Sequence, residues 1–244
     1  MVRVKGRQKT PSFRKVQRVR PRPLDQEKPA SKRAGGARLF NITNTKSFMI
    51  QHARALFAKN GFDGVSVKDV AQATKLNVSL VSYHFNGKEG LYEACLEGFG
   101  IECLESVQRT LTSPSTYEEC IVRLEMFIDL MLDIFIKEPD ASAMVFKEAD
   151  MEARTISRVF QSTFVELFNT IVIFFEDSKK LGFVDSDIDP HTLASICFGA
   201  LSHFARMDAI STRYFNRSLK DSKHRHRVAS HLKATFLPLF KKVT

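Results

Sequence analysis

The stretch VSVKDVAQATKLNVSLVSYHFNGKEGLYEACL, residues 65–96, decides the fold. Ser66 followed three residues later by Asp69 is a capping-box pattern, which opens a short helix running through Ala73. Asn77 can cap the next helix, from Val78 to about Phe85. Two short helices joined by a turn of three or four residues make a helix-turn-helix. Val67, Val70, Ala71, Leu76 and Val81 fall where they can pack both helices against a preceding one. That leaves Val78, Ser79, Ser82, Tyr83 and His84 near the N-terminus and outer face of the second helix. Those positions reach base edges and phosphates when such a helix lies in the major groove of double-stranded DNA. Small side chains permit close approach, serine hydroxyls can bond bases or phosphates, and Val78 can touch a thymine methyl. On the residues alone the pattern also fits a structural helical hairpin, with Tyr83 a core aromatic and His84 a packing residue.

Working outward, Phe48, Met49, His52, Ala53, Leu56 and Phe57 recur at helical spacing, and Asn60-Gly61 stops that helix. The expected start is near Thr45, because Gly35-Gly36 and four prolines break the segment before it. Downstream, Lys88-Glu89 opens a helix to about residue 111. Ser113-Pro114-Ser115 precedes one over 116–137, with Glu118 completing a box on Ser115. Further helices are expected over 139–152, 155–181, 190–211 and 219–236. No strand and no internal repeat is predicted. The expected fold is all-α: an N-terminal three-helix helix-turn-helix DNA-binding domain (41–90) and a larger C-terminal helical bundle for ligand binding and dimerisation (91–244), preceded by a basic, disordered arm (1–40).

The central segment resembles the DNA-binding domain of the TetR (tetracycline repressor) family of bacterial regulators. The matching residues are Ala55-Leu56-Phe57 and Gly61-Phe62, then Ser66-Val67-x-Asp69-Val70-Ala71, then Tyr83-His84-Phe85-x-x-Lys88-Glu89-x-Leu91, within about residues 44–96. The resemblance implies an all-helical homodimer on a palindromic operator, acting as a transcriptional repressor released by a small molecule. The basic, Pro-containing start without an apolar h-region reads as no secretory signal, so a cytoplasmic, nucleoid-associated protein is expected. Carried over by position, Tyr83 and Lys88 grip phosphates, and Ser79 and Ser82 face bases. Ser66 and Thr45 sit at helix N-termini, where backbone N–H groups favour phosphate. Lys75 stands where the family prefers glycine, which implies either a left-handed residue or an altered turn. Ser82 stands where an aromatic residue is common. By the same analogy, the helices at 190–211 and 219–236 are the expected dimer interface.

Several features outside the motif bear on function. Residues 1–38 carry 13 Lys and Arg against 2 Asp and Glu, whereas the whole chain has a net charge of +10. The basicity therefore belongs to the arm, whose natural partners are phosphates, and Arg14, Arg18, Arg20 and Arg22 are candidates for a minor groove. A nucleoid-type or RNA-associated protein using this arm is the alternative reading. Phe160, Phe164, Phe168 and Phe175 recur at helical spacing. With Phe127 and Met131 on the helix over 116–137, Phe160, Phe164 and Phe168 are candidates for an apolar pocket holding an apolar effector. Core packing explains the same stripe. Glu125, Asp129 and Asp133 share a face and suit either a solvated stripe or a cation. His224 and His226 are spaced poorly for a metal, and no metal or other cofactor is implied. The four cysteines, Cys95, Cys103, Cys120 and Cys197, read as buried free thiols or, less simply, a redox sensor. No Gly-rich phosphate loop, metal-spaced His/Cys set or Gly-x-Ser-x-Gly elbow points to an enzyme. No uninterrupted run reaches the 18 or so apolar residues of a membrane span.

The arm makes a measurable prediction. Each phosphate neutralised on duplex DNA contributes about 0.9 to the log–log salt slope of binding. If four basic residues of the arm engage, deleting residues 1–38 flattens that slope by roughly 3–4 while base preference survives. Operator binding by the full chain and by residues 39–244 across a salt series checks this.

Overall fold

Side chains punctuate this chain, and the helices begin where they do so. The computed structural model describes residues 35–153 and 156–242, with the backbone alone for residues 35–44 and 157. Ten α-helices are described: α1 (Gly35–Asn60), α2 (Val67–Thr74), α3 (Val78–Phe85), α4 (Lys88–Thr110), α5 (Tyr117–Lys137), α6 (Pro139–Asp150), α7 (Ser157–Phe160), α8 (Glu166–Lys180), α9 (Pro190–Phe215) and α10 (Ser222–Phe236). A π-helical turn, Gln161–Val165, links α7 to α8. Among the described residues the only extended pairing is one isolated bridge, Val184 to Phe240. The all-α expectation is met. Compactness divides the chain into residues 1–40 and 41–244. Arg14, Arg18, Arg20 and Arg22, and the expected disorder of the arm before Gly35, lie outside the described residues.

Two boundaries differ from the sequence reading. α1 begins at Gly35, ten residues before Thr45, so the Gly35-Gly36 pair lies inside the helix. Glycine costs a helix only about 1 kcal/mol per residue and does not forbid it. The cap of α5 is Thr116, whose Oγ1 accepts from the Glu119 N–H at 3.1 Å, while the Glu119 carboxylate accepts from the Ser115 N–H at 2.8 Å. The box is therefore displaced by one residue from the expected Ser115–Glu118 pair. Elsewhere, Asp189 caps α9 just before Pro190, and Asp221 caps α10.

Residues 41–244 hold two hydrophobic cores. One joins α1, α2, α3 and α4 through Met49, Phe57, Val70, Val81, Phe85 and Tyr92, and extends to Met144 of α6, Ile156 and Val159. The other fills the bundle through α4, α5, α8, α9 and α10, and includes Phe127, Ile128, Leu132, Phe174, Phe175 and Leu201. α10 lies on α5. There Lys233 pairs with Asp129 at 2.7 Å and Arg225 with Asp133 at 3.8 Å. The acidic stripe of α5 thus faces the cations of α10. No group of three or more His, Cys, Asp or Glu among the described residues is placed to hold a metal ion.

By length and composition alone, one helical stretch, Arg158–Lys180, is apolar enough to cross a membrane. This departs from the sequence reading, which counted only uninterrupted apolar runs. Leu167, Ile171, Phe174 and Phe175 of this stretch are buried in the bundle, which accounts for part of its apolarity. Val165 and Ile173 face outward.

The π turn sits where α4 comes closest. A Cβ on Gly100 of α4 would meet Thr163 Oγ1 at 2.7 Å, Thr163 Cβ at 2.8 Å and the tip of Phe164 at 3.1 Å. Thr163 cannot easily yield, because its hydroxyl donates to the Val159 carbonyl at 2.6 Å. Gly98, two residues earlier, has nothing within 4 Å of where its Cβ would stand. The two glycines should therefore respond oppositely. Gly100→Ala should destabilise by about 1–3 kcal/mol through overpacking. Gly98→Ala should stabilise by roughly 0.5–1 kcal/mol through helix propensity. Urea denaturation at fixed protein concentration measures both.

Candidate nucleic-acid interface and effector cavity

α2 is held by a complete capping box. The Ser66 N–H donates to Asp69 Oδ2 at 2.7 Å, the Ser66 hydroxyl donates to the same oxygen at 2.6 Å, and the Asp69 N–H donates back to Ser66 Oγ at 3.2 Å. These bonds, the Ser66 hydroxyl first, hold the Asp69 carboxyl below the usual carboxylate range. The Ser66 side chain is therefore committed within its own helix end, beside a negative charge that works against a phosphate there. Thr45 lies ten residues inside α1. The helix-terminus argument for Thr45 consequently fails, because an interior backbone N–H already serves the helix.

α3 presents the expected face. Asn77 Oδ1 accepts from the Ser79 N–H and from the Ser79 hydroxyl, both at 3.0 Å. Val81 and Phe85 are buried, while Val78, Ser79, Ser82 and Tyr83 are exposed. Val78 is 41% exposed and Tyr83 74%. A tyrosine that open serves no packing purpose. His84 is half-buried, and burial first, then the nearby Lys46 charge, lowers its pKa. It is neutral at pH 7, so its ring can donate or accept one bond but brings no charge. Lys46, on α1, is exposed; sequence reasoning passed over it, although a cation ahead of the first apolar face was the available signal. Lys88 places its Nζ 4.1 Å from the centre of the Phe62 ring, at the first turn of α4.

The turn into α4 is tight. Asn86 is left-handed at φ 58° and closes α3 with its N–H on the Ser82 carbonyl at 3.0 Å. A Cβ on Gly90 would lie 1.8 Å from the Phe85 carbonyl oxygen, so only glycine fits there. This fixes the direction of α3 relative to α4.

In the bundle, four of the five predicted pocket residues come together. Met131, Phe160, Phe164 and Phe168 line a cavity of about 300 Å³. Phe127 does not; it is fully buried in the bundle core. At four residues from Met131 it shares the same side of α5, but packing has already filled its position. α6 forms another wall with Ser142, Val145, Phe146 and Ala149. Other side chains of α6 reach the helix-turn-helix unit. Lys147 Nζ donates to the Ala58 and Lys59 carbonyls at the end of α1. Glu148, 1% exposed, accepts from the Tyr92 hydroxyl at 2.7 Å. Met144 is buried in the first core. One short helix thus touches both the cavity and the unit that carries α3.

All four cysteines are free and buried. Burial pushes the thiols of Cys95, Cys103 and Cys197 up to about 12, and raises Cys120 as well. Such thiols stay protonated at neutral pH, which argues against the redox-sensor alternative.

Residues 49–95 match the family described as bacterial regulatory proteins, tetR family. Over 141 residues the chain is 30% identical to the Bacillus subtilis protein named "Probable HTH-type transcriptional regulator YttP", covering 56% of this chain and 66% of that one. Over 100 residues it is 28% identical to the HTH-type transcriptional repressor AcnR of Corynebacterium glutamicum, covering 37% of this chain and 53% of the repressor. Residues 49–95 belong to the tetR family of bacterial regulatory proteins. It matches between about half and just under two-thirds of the length of these two relatives. The fold is similar to that of GusR from Salmonella enterica, with a TM-score of 0.56 and 18% identity over 80% of this chain and 95% of that one.

Within the TetR family's helix-turn-helix, Lys75 is this chain's departure. It takes the left-handed conformation, φ 56° and ψ 31°, at the C-cap of α2. The turn is therefore unaltered and the lysine is strained, while Leu76 N–H still reaches the Ala71 carbonyl at 3.0 Å. A left-handed residue with a Cβ costs roughly 1–2 kcal/mol. Lys75→Gly should accordingly raise stability by about 1 kcal/mol, less whatever the more flexible unfolded chain takes back. Thermal denaturation at fixed concentration reads the shift.

Proposed function

We propose that this TetR-family chain is a sequence-specific, DNA-binding transcriptional regulator. In this reading it is a cytoplasmic homodimeric repressor that releases a palindromic operator when a small molecule enters the bundle. The observation that carries the reading is the outer face of α3. Val78, Ser79, Ser82 and Tyr83 stand exposed together on a helix whose other side is locked into a core. Ser79 and Ser82 face bases, Tyr83 and Lys88 hold phosphates, and His84 and Lys46 stand at the edge. The basic arm adds phosphate contacts that set affinity, while α3 sets address. The chain acts by binding rather than by catalysis.

Exposed apolar side chains support a two-fold mate on α8, the π turn just before it, and α9. Val165 and Ile173 accompany Ile196, Ile210, Tyr214 and Phe215 on the surface. The outer positions of α10, including Lys223, His226, Arg227 and Ser230, are exposed and polar. An apolar face needs a partner, whereas a charged one does not. The proposed interface is therefore α8 with α9, in place of the α9–α10 pairing suggested by family analogy.

Release follows from the double role of α6. A ligand shifts the protein only if it favours one arrangement of α6 over another, and operator DNA must then weaken ligand binding by the same factor. The test combines selection from random DNA with light scattering. A dimer should select an inverted repeat with half-sites about one helical turn (~34 Å) apart or slightly more. Ser79→Ala or Ser82→Ala should cost about 1–3 kcal/mol at particular base pairs. Tyr83→Phe should weaken all sequences alike. A stable monomer that binds a single half-site tightly, or serine variants with unchanged preference, overturns the reading.

A further inference from the structure

We infer that the bundle cavity takes an uncharged, mainly apolar molecule of one or two rings that carries a single hydrogen-bonding oxygen, and that Ser142 is its anchor. The inference deepens the proposal that the bundle is the effector domain, and rests on it.

The wall comes first. Of the residues lining the cavity, only Ser142 and Cys103 carry a polar side-chain atom, and none is charged. The Cys103 thiol, pushed up to about 12, is a neutral and feeble partner. The space is about 300 Å³. That is roughly ten water molecules at ~30 Å³ each, at the small end of ligand cavities. Phe160, Phe164 and Phe168 present ring surface that suits a flat apolar body.

Ser142 is the exception in this wall. It is 4% exposed, and its Oγ has no hydrogen-bond partner. Serine and threonine inside helices normally satisfy themselves on the carbonyl four residues back. In this chain Ser106 does so on Glu102, and Ser178 on Phe174, each at 2.7 Å. Ser142 does not, although its N–H makes the ordinary helical bond to the Glu138 carbonyl at 3.0 Å. A buried hydroxyl without a partner costs free energy, and a ligand oxygen or N–H recovers it.

Ser142 also borders a second cavity of about 340 Å³, with Phe135 and Phe146 as the other shared walls. Charges there are mostly engaged. Arg206 pairs with Asp150 at 2.7 Å, Asp208 accepts from the Leu219 N–H at 2.6 Å, and Lys147 binds the end of α1. A charged ligand would have to disrupt these bonds or sit unpaired against phenyl rings. Lys220, which lines this second space, is the cation there whose side chain has neither an ion pair nor a hydrogen bond among the described residues. A carboxylate is therefore the rival to be separated.

The experiment is calorimetric titration of the full-length protein with naphthalene, 1-naphthol and 1-naphthoate, repeated on Ser142→Ala after its folding has been verified by circular dichroism. 1-Naphthol should bind once per chain, about three- to tenfold more tightly than naphthalene, the span of one ordinary hydrogen bond. 1-Naphthoate should bind at least ~10-fold more weakly than 1-naphthol, because its charge must be desolvated. In Ser142→Ala the advantage of 1-naphthol over naphthalene should disappear. An unchanged advantage in that variant, 1-naphthoate binding as well as 1-naphthol, or binding of none of the three overturns the inference. Operator release is scored separately on the same samples. Binding with the expected ranking but without release upholds the ligand class and sinks the release mechanism instead.

Discussion

The hydrogen bond from Tyr92 to Glu148 is the constraint on which this architecture turns. Tyr92 lies on α4 with its ring edge-on to Phe57, 4.8 Å away, and to Phe62, 5.1 Å away. Its hydroxyl crosses to the buried carboxylate of α6. Burial and that carboxylate together hold the phenol far above its ordinary pKa, so it remains a donor. One side chain thus fixes α1, the turn after it, α4 and α6 at once. The second carboxylate oxygen of Glu148 has no partner. Breaking the bond would therefore leave a buried carboxylate wholly unsatisfied, a cost of at least 1–3 kcal/mol on general grounds. The tie holds the helix-turn-helix unit in one position until something displaces α6.

Lys147 and Arg54 complete the attachment in a chemically different way. Lys147 gives its ammonium to carbonyls that the end of α1 leaves unpaired, where a cation is favoured. Arg54 reaches the Cys95 carbonyl at 2.7 Å and Glu138 at 3.2 Å. These contacts are polar and directional, whereas the cavity walls are greasy and permissive. On the release mechanism proposed above, small movements of apolar side chains around a ligand are converted into the making or breaking of definite bonds. α6, only 12 residues long, is short enough to shift as a rod.

Much of this was legible in the sequence, because local chemistry decided it. The Ser66–Asp69 box and the Asn77 cap place α2 and α3 within a residue, and the helical spacing of Val70, Val81 and Phe85 assigns the inner face. The start of α1 was not legible, since paired glycines weaken a helix without ending it. The π turn depends on a contact between Gly100 and Thr163 that no local pattern announces. Phe127 and Met131 share a helix side but not a fate, because only the partner helices decide which position is filled. The α5 acids could be seen as a stripe, yet their partners on α10 are about a hundred residues distant. In α10 the spacing of Val228, Ala229, Leu232 and Phe236 shows a buried stripe, but not that α5 takes it up.

The four buried thiols have a practical consequence. Cys95, Cys120 and Cys197 cannot be attacked while the fold is closed, since each is shielded and protonated, whereas Cys103 borders the cavity. They lie at different stations: Cys95 between α1 and α4, Cys103 in the cavity wall, Cys120 beside Ser178, and Cys197 deep in the bundle. The alkylation rates of the first three therefore clock the opening of their own neighbourhoods, and that of Cys103 reads access to the cavity. The native chain carries, without any engineering, four chemical stopwatches set in different parts of the fold.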